Sequence, residues 1–177
     1  MFGNITVYDI ITQAIGGLGM LAIFYSFQKN KNRQILGILI IGMSFFSIHF
    51  IMLGSYTGAA LNILSVVRNG ILLFRPRKWA QSKCWLYIFF AVYIAAGIIT
   101  WESMISLVPM AGMIFGTLAV FAKETKNIRR FSLVCSVGWL IYNIYNLSIP
   151  GIITEISVEI SIIIAMFKYD FKKLKSG

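Results

Sequence analysis

Acidic residues are scarce in this sequence: six Asp and Glu stand against sixteen Lys and Arg, and charged residues together make up only 12% of the 177 positions. A soluble domain averages about 25% charged residues. Histidine and cysteine are rarer still. The single His49 and the two cysteines, Cys84 and Cys135, form no CxxC pair and no His cluster, so a metal site has few ligands to draw on and no cofactor is expected. Both cysteines read as small apolar residues near the cytosolic side, where thiols stay reduced. The segment Met1 to Asp9 lacks the basic n-region and small-residue cleavage site of a signal peptide, so the first hydrophobic stretch is expected to stay. No nucleotide-binding motif occurs, and His49 has no acidic or cysteine partner in its own hydrophobic stretch. The chain is therefore not expected to be an enzyme.

What the chain does have is apolar length. Hydrophobic residues make up 58% of it, and the mean hydropathy is +0.80. Long apolar runs alternate with short polar knots, and several runs reach the roughly 20 residues that cross a bilayer as a helix. In hydrocarbon the backbone must satisfy its own hydrogen bonds, so such runs become helices packed on helices. The period-2 alternation of a membrane β-barrel is absent. The expected fold is an all-α integral membrane protein, a single membrane domain over 1–177, with seven transmembrane helices at about 9–28, 35–53, 57–74, 84–100, 103–122, 131–147 and 150–168.

A net charge of +10 on a soluble protein would suggest nucleic acid. Here the charge is divided into loop-sized clusters, which is how topology signals look, and the expected partner is the lipid bilayer. Lys29, Lys31 and Arg33 follow the first span; Arg75, Arg77, Lys78 and Lys83 follow the third. Lys123, Lys126, Arg129 and Arg130 follow the fifth, and Lys168, Lys172, Lys173 and Lys175 end the chain. If the segments alternate, every Lys and Arg except Arg68 falls on one face. The other face holds the short turns 54–58, 100–103 and 148–151, with no Lys or Arg. The positive-inside rule then places the N-terminus outside and the C-terminus in the cytoplasm. Trp79, Trp85 and Trp101 fall at the expected interfaces.

Sliding the chain on itself by 93 positions superposes Gly19-Met20 on Gly112-Met113, Ser55 on Ser148, Gly58 on Gly151, and Arg75 on Lys168. This predicts two three-helix repeats, about 9–76 and 103–169, with a linker helix at about 84–100 that leaves the repeats parallel. Transporters are often built on such repeats, with the substrate site between them.

A 3+1+3 chain with short outer turns resembles the SWEET/SemiSWEET group of the PQ-loop superfamily. The likeness is carried by Trp139-Leu-Ile-Tyr142, Ser148-Ile-Pro150-Gly151, and the position of Asn62, with Glu155 where that group has a pocket Asn. The resemblance implies that the third helix of each bundle lies between the first two and that solute passes between the bundles. The Pro-Gln pair is absent: the corresponding stretches read Phe24-Tyr-Ser-Phe27 and Leu118-Ala-Val-Phe121. Over nearly the whole length the chain also resembles the YgjV family of small bacterial inner-membrane proteins. That likeness rests on Ile48-His49-Phe50, Leu53-Gly54-Ser55-Tyr56, Asn62 with Arg68, and Trp139-Leu-Ile-Tyr142-Asn143 with Ser148-Ile149. It implies a location in the bacterial inner membrane.

Ionisable groups inside a span are expensive and are candidate site residues. Arg68 either snorkels to the head groups, pairs with Glu159, or binds substrate. Glu155 and Glu159, four apart, share a helix face; they serve proton or cation binding, or they bond neighbouring helices. Trp139 falls mid-span, where it either packs the core or stacks on a sugar or nucleoside ring. His49 and Tyr142 occupy equivalent repeat positions beside Asn143, forming either a paired pocket or interhelical hydrogen bonds. Gly112, Gly116, Gly16, Gly17 and Gly19 permit close helix approach. The leading expectation is a carrier, facilitative or proton-coupled, for an unidentified small polar solute; the rival is a non-transporting scaffold or sensor that binds a lipid or partner helix. The sequence leaves open whether the chain acts alone or as a homodimer.

Overall fold

The structure, a computed structural model, describes residues 6–171. Lys172, Lys173 and Lys175 of the last basic cluster lie outside the described residues. Within them there are seven α-helices and no strand: α1 (Val7–Ser26), α2 (Asn32–Met52), α3 (Tyr56–Leu73), α4 (Cys84–Ile99), α5 (Leu107–Phe121), α6 (Thr125–Tyr145) and α7 (Ile149–Met166). The chain is an all-α membrane protein. By length and composition α1, α2, α5 with the turn before it, and α7 extended to Asp170 are long and apolar enough to cross a bilayer. At 16 residues, α4 is apolar but only about 24 Å long. The remaining two, α3 and α6, are less apolar because they carry Asn62, Arg68 and Asn69, and Lys126, Arg129 and Arg130.

Most boundaries fall within three residues of the sequence expectation, and two differ by more. The predicted sixth span began at 131, whereas α6 starts at Thr125, so its first turns carry the basic cluster. The predicted fifth span began at 103, but Ser103 is extended, Met104–Ser106 form a single 3-10 turn, and α5 starts at Leu107. Pro109 then sits in the first turn, where its missing N–H has no helical partner to lose.

Neighbouring helices pack in chain order. In the first three, α2 lies against both α1 and α3; in the last three, α6 lies against both α5 and α7. The linker α4 packs on α3 and α5, and α1 meets α7, so the seven helices close into a ring. The SWEET-like arrangement implied the third helix at the centre of each bundle. Here the second helix takes that place, and α1 shares no extended contact with α3. The cause is local. A Cβ built on Gly19 would lie 3.0 Å from Gly42 O, and one on Gly42 would lie 3.1 Å from Gly19 O. The α1 and α2 backbones therefore touch directly, and a tight turn holds α3 to the other side of α2.

The 93-residue offset recurs in these elements. The bounds of α2 and α6 differ by that offset at both ends, as do those of α3 and α7. Their connecting turns match too. Among the described residues Gly54 (φ 73°) and Leu147 (φ 55°), one offset apart, are those with left-handed backbone. Next to them Ser55 N–H donates to Phe50 O at 2.8 Å, and Ser148 N–H donates to Asn143 O at 3.0 Å. The close approach of Gly19 to Gly42 is repeated at Gly112, where a Cβ would lie 3.1 Å from Cys135 O. Gly17, grouped with these glycines in the sequence, faces open space instead.

At Gly16 an added Cβ would come within 2.6 Å of Pro150 Cγ and 2.8 Å of His49 Nδ1. Gly16→Ala is therefore expected to destabilise by about 1–3 kcal/mol through overpacking, while Gly17→Ala is neutral or slightly stabilising. Thermal unfolding of both variants in detergent checks this; equal melting temperatures would contradict the packing described.

Candidate functional site

Within the helix ring lies a partly open cavity of about 400 Å³, within the range of small-ligand sites. Its walls follow the internal offset. Ile23 faces it with Gly116, Phe27 with Val120, Leu39 with Ser132, Met43 with Ser136, Phe46 with Trp139, Phe50 with Asn143, Asn62 with Glu155, and Ser65 with Val158, each pair 93 residues apart. The cavity thus lies on the pseudo-symmetry axis of the two three-helix units.

The chemistry of the walls is not symmetric. The face of α2 is apolar, with Leu39, Met43, Phe46 and Phe50. The same register of α6 presents Ser132, Ser136, Trp139 and Asn143. Arg68 from α3 and Glu155 from α7 supply the charge. Arg68 is 7% exposed and donates through Nη1 to Thr117 Oγ1 at 3.2 Å, while its Nε is buried without a partner. Glu155 Oε2 accepts from Ser136 Oγ at 2.6 Å. Among the described residues the ion pair is Arg129–Asp170, far along the chain at the basic ends of α6 and α7. Arg68 and Glu155 are therefore neighbours on one cavity that do not neutralise each other. Asn143, 2% exposed, has a buried Oδ1 with no hydrogen-bond donor.

Of the residues singled out from sequence, Asn62, Arg68, Trp139, Asn143 and Glu155 line this cavity, whereas His49, Tyr142 and Glu159 do not. Arg68 neither snorkels nor pairs with Glu159. It is buried, and α3 packs on α2, α4 and α5 rather than on α7. Glu159 falls beside the stripe of Gly151, Thr154, Glu155 and Val158 that α7 turns to the cavity, and its Oε1 is buried without a partner. Trp139 packs in the core and also borders the cavity. Its indole donates to Met113 Sδ at 3.3 Å and meets Tyr142 edge-on at 5.9 Å while facing the cavity.

His49 and Tyr142 form no paired pocket; they close the structure above it, on the face of the short turns. A carbonyl can only accept, so His49 Nδ1 donates to Thr12 O at 2.8 Å. Nε2 must then accept from Ser148 Oγ, also at 2.8 Å. At the equivalent position, Tyr142 OH accepts from Gly58 N at 2.9 Å. Each unit's second helix thus reaches the start of the other unit's third helix, where the first-turn N–H groups lack helical partners. Ser55 donates to Asn146 across the same seam. Gln13 bridges the α6–α7 turn, donating to Leu147 O at 3.0 Å and accepting from Ile149 N at 3.1 Å. Thr57 N–H donates to Glu102 Oε1 at 2.9 Å, tying α3 to the α4–α5 connection.

Sequence reasoning missed Ser132, Ser136 and Thr117. Hydroxyls in hydrophobic helices usually bond their own backbone, as Thr117 also does to Met113 O at 2.8 Å. The available signal was register: Ser132 and Ser136 fall four apart on α6, in line with Trp139 and Asn143.

Tyr142→Phe removes the acceptor for the buried Gly58 N–H and is expected to cost about 1–3 kcal/mol. Reversible unfolding in mixed micelles measures it, and an unchanged midpoint would contradict the role given to this bond.

Residues 10–173 match the Imp-YgjV family, described as a bacterial inner membrane protein. A curated relative, the inner membrane protein YgjV of Escherichia coli (strain K12), is 25% identical over 145 residues, covering 82% of this chain and 76% of that protein. No solved structure is significantly similar. The extent of the family match makes this chain a member of the YgjV family of bacterial inner membrane proteins.

Proposed function

We propose that this protein is a small-solute carrier of the inner membrane, SWEET-like in using two three-helix repeats around a shared site, although its helix order within each unit differs. In this reading all seven helices cross the bilayer, the N-terminus and the short turns lie outside, and the basic loops and C-terminus lie in the cytoplasm. The observation that carries the reading is the cavity on the pseudo-symmetry axis, with buried, incompletely partnered polar groups at Arg68 and Asn143. Orphaned polar atoms in a membrane interior are costly and mark functional positions. A scaffold that only binds a lipid or partner helix predicts side-chain filling of that space.

The arrangement also suggests a conformational state. The hydrogen bonds at His49, Tyr142 and Ser55 seal the turn face, and the cavity extends from Asn143 and Gly151 towards Phe27 and Ile128 near the basic face. The described form is then closed outward. Transport requires these bonds to exchange for others in an outward-open form. In this reading Glu155, which lines the cavity, is the carboxylate that takes part in ion coupling.

A thermal-shift screen of purified protein against sugars, nucleosides, vitamins and amino acids tests the reading, because a ligand that binds only the folded state raises its stability. At a concentration 100 times Kd the gain is about 2.7 kcal/mol. A specific hit that is weakened at least ten-fold by Trp139→Ala or Asn62→Ala supports the carrier site. A library without hits favours the scaffold.

A further inference from the structure

We infer that the cavity takes a zwitterionic solute of the α-amino-acid class with an apolar side chain, an inference that rests on the carrier-site reading above. One wall supplies a cation and another supplies anionic and neutral acceptors, and the two are left unpaired with each other. On the cationic side, Arg68 is buried, and its guanidinium has a neutral threonine hydroxyl as its hydrogen-bonding partner and an orphaned Nε. A guanidinium is not deprotonated in proteins, and its planar fork of donors matches a carboxylate. A ligand carboxylate provides the missing counter-charge.

The acceptors lie close by. A Cβ at Gly116 would be 2.8 Å from Cys135 Sγ and 3.9 Å from Arg68 Nη1, which places the guanidinium beside Cys135. The next residue on α6, Ser136, holds the Glu155 carboxylate. Cation and carboxylate thus approach the cavity at adjacent positions along one helix. Glu155 has acceptor capacity beyond the Ser136 bond, whereas Asn143, seven residues further along and also lining the cavity, turns its Oδ1 against Gly151. An ammonium carries three donors and no acceptor. A carboxylate on α7 beside a guanidinium with which it is not paired is what a zwitterion needs and what a neutral sugar does not.

The remaining surface fits the side chain. Met43, Phe46 and Phe50 on α2, with the Trp139 indole, form an apolar wall facing the polar α6–α7 side. A solute with a charged head and an apolar tail matches both walls at once. The volume of about 400 Å³ admits an amino acid as large as phenylalanine.

Equilibrium binding of L-phenylalanine to the purified full chain in nanodiscs tests this, alongside 2-phenylethylamine, which lacks the carboxylate, and 3-phenylpropionate, which lacks the ammonium. The zwitterion is expected to bind at least ten-fold more tightly than either analogue. Arg68→Gln should reduce L-phenylalanine to the level of the amine without weakening the amine's own binding. Glu155→Gln should do the converse with the acid. Arg68→Lys, which keeps the charge, should recover part of the loss, and a variant that merely misfolds would bind none of the three. Analogues that bind as well as L-phenylalanine overturn the inference. Binding of glucose or uridine, dependent on Trp139, with none of L-phenylalanine, also overturns it but leaves the carrier site standing. No binding by any of these probes removes both.

Discussion

The hydrogen bonds that cross between the two three-helix units on the turn face hold the rest of the molecule in place. Ser148 donates to His49, Gly58 donates to Tyr142, and Ser55 donates to Asn146. Each bond serves a helix N-terminus, or the turn before one, that would otherwise leave backbone or hydroxyl groups unpaired away from water. In an apolar surrounding such groups cost several kcal/mol each, so the units are strongly driven to meet here. Glycines make the meeting possible: a Cβ at Gly58 would lie 2.7 Å from Tyr142, and one at Gly16 would lie 2.8 Å from His49. With the units fixed at this end, the helix ring leaves its free space on the other side of the seam, and that space is the cavity.

The seam also accounts for the asymmetric use of a symmetric plan. His49 and Tyr142 are one repeat offset apart and do the same job, each reaching the partner unit's third helix. Deeper in, the offset pairs diverge. Phe46 and Trp139 both pack and line the cavity, but Met43 faces Ser136, Phe50 faces Asn143, and Asn62 faces Glu155. The helix bounds match at the 93-residue offset, while the wall residues are apolar on α2 and polar on α6. A cavity with two kinds of wall distinguishes the ends of a solute, which a symmetric one does not.

Much of this was legible in the sequence. Apolar length located every helix, and the offset of 93 anticipated the matching bounds of α2 with α6 and of α3 with α7. Five of the proposed site residues face the cavity because mid-helix polar residues in an apolar chain have few other places to go. The failures are equally physical. Equivalent repeat positions made His49 and Tyr142 look like a pocket, yet they sit three residues from the ends of their helices, where capping the neighbour's first turn is the stronger use. Glu159 shares a helix face with Glu155 as the spacing of four requires, yet only Glu155 is among the residues lining the cavity. Helix neighbours are not encoded in hydropathy, so pairing Arg68 with Glu159 failed when α3 packed away from α7. The central position of α2 and α6 was likewise hidden, because it depends on backbone contacts at Gly19, Gly42 and Gly112 rather than on any polar signal.

Native Cys135 lines the cavity, and Cys84 is exposed outside it. This makes one labelling experiment direct. With Cys84→Ser in place, a membrane-impermeant, positively charged methanethiosulfonate is applied to right-side-out and inside-out vesicles. A water-filled cavity sealed on the turn face and open towards the cytoplasm predicts modification of Cys135 in inside-out vesicles only. Modification only from the outside, or from neither side, would contradict it.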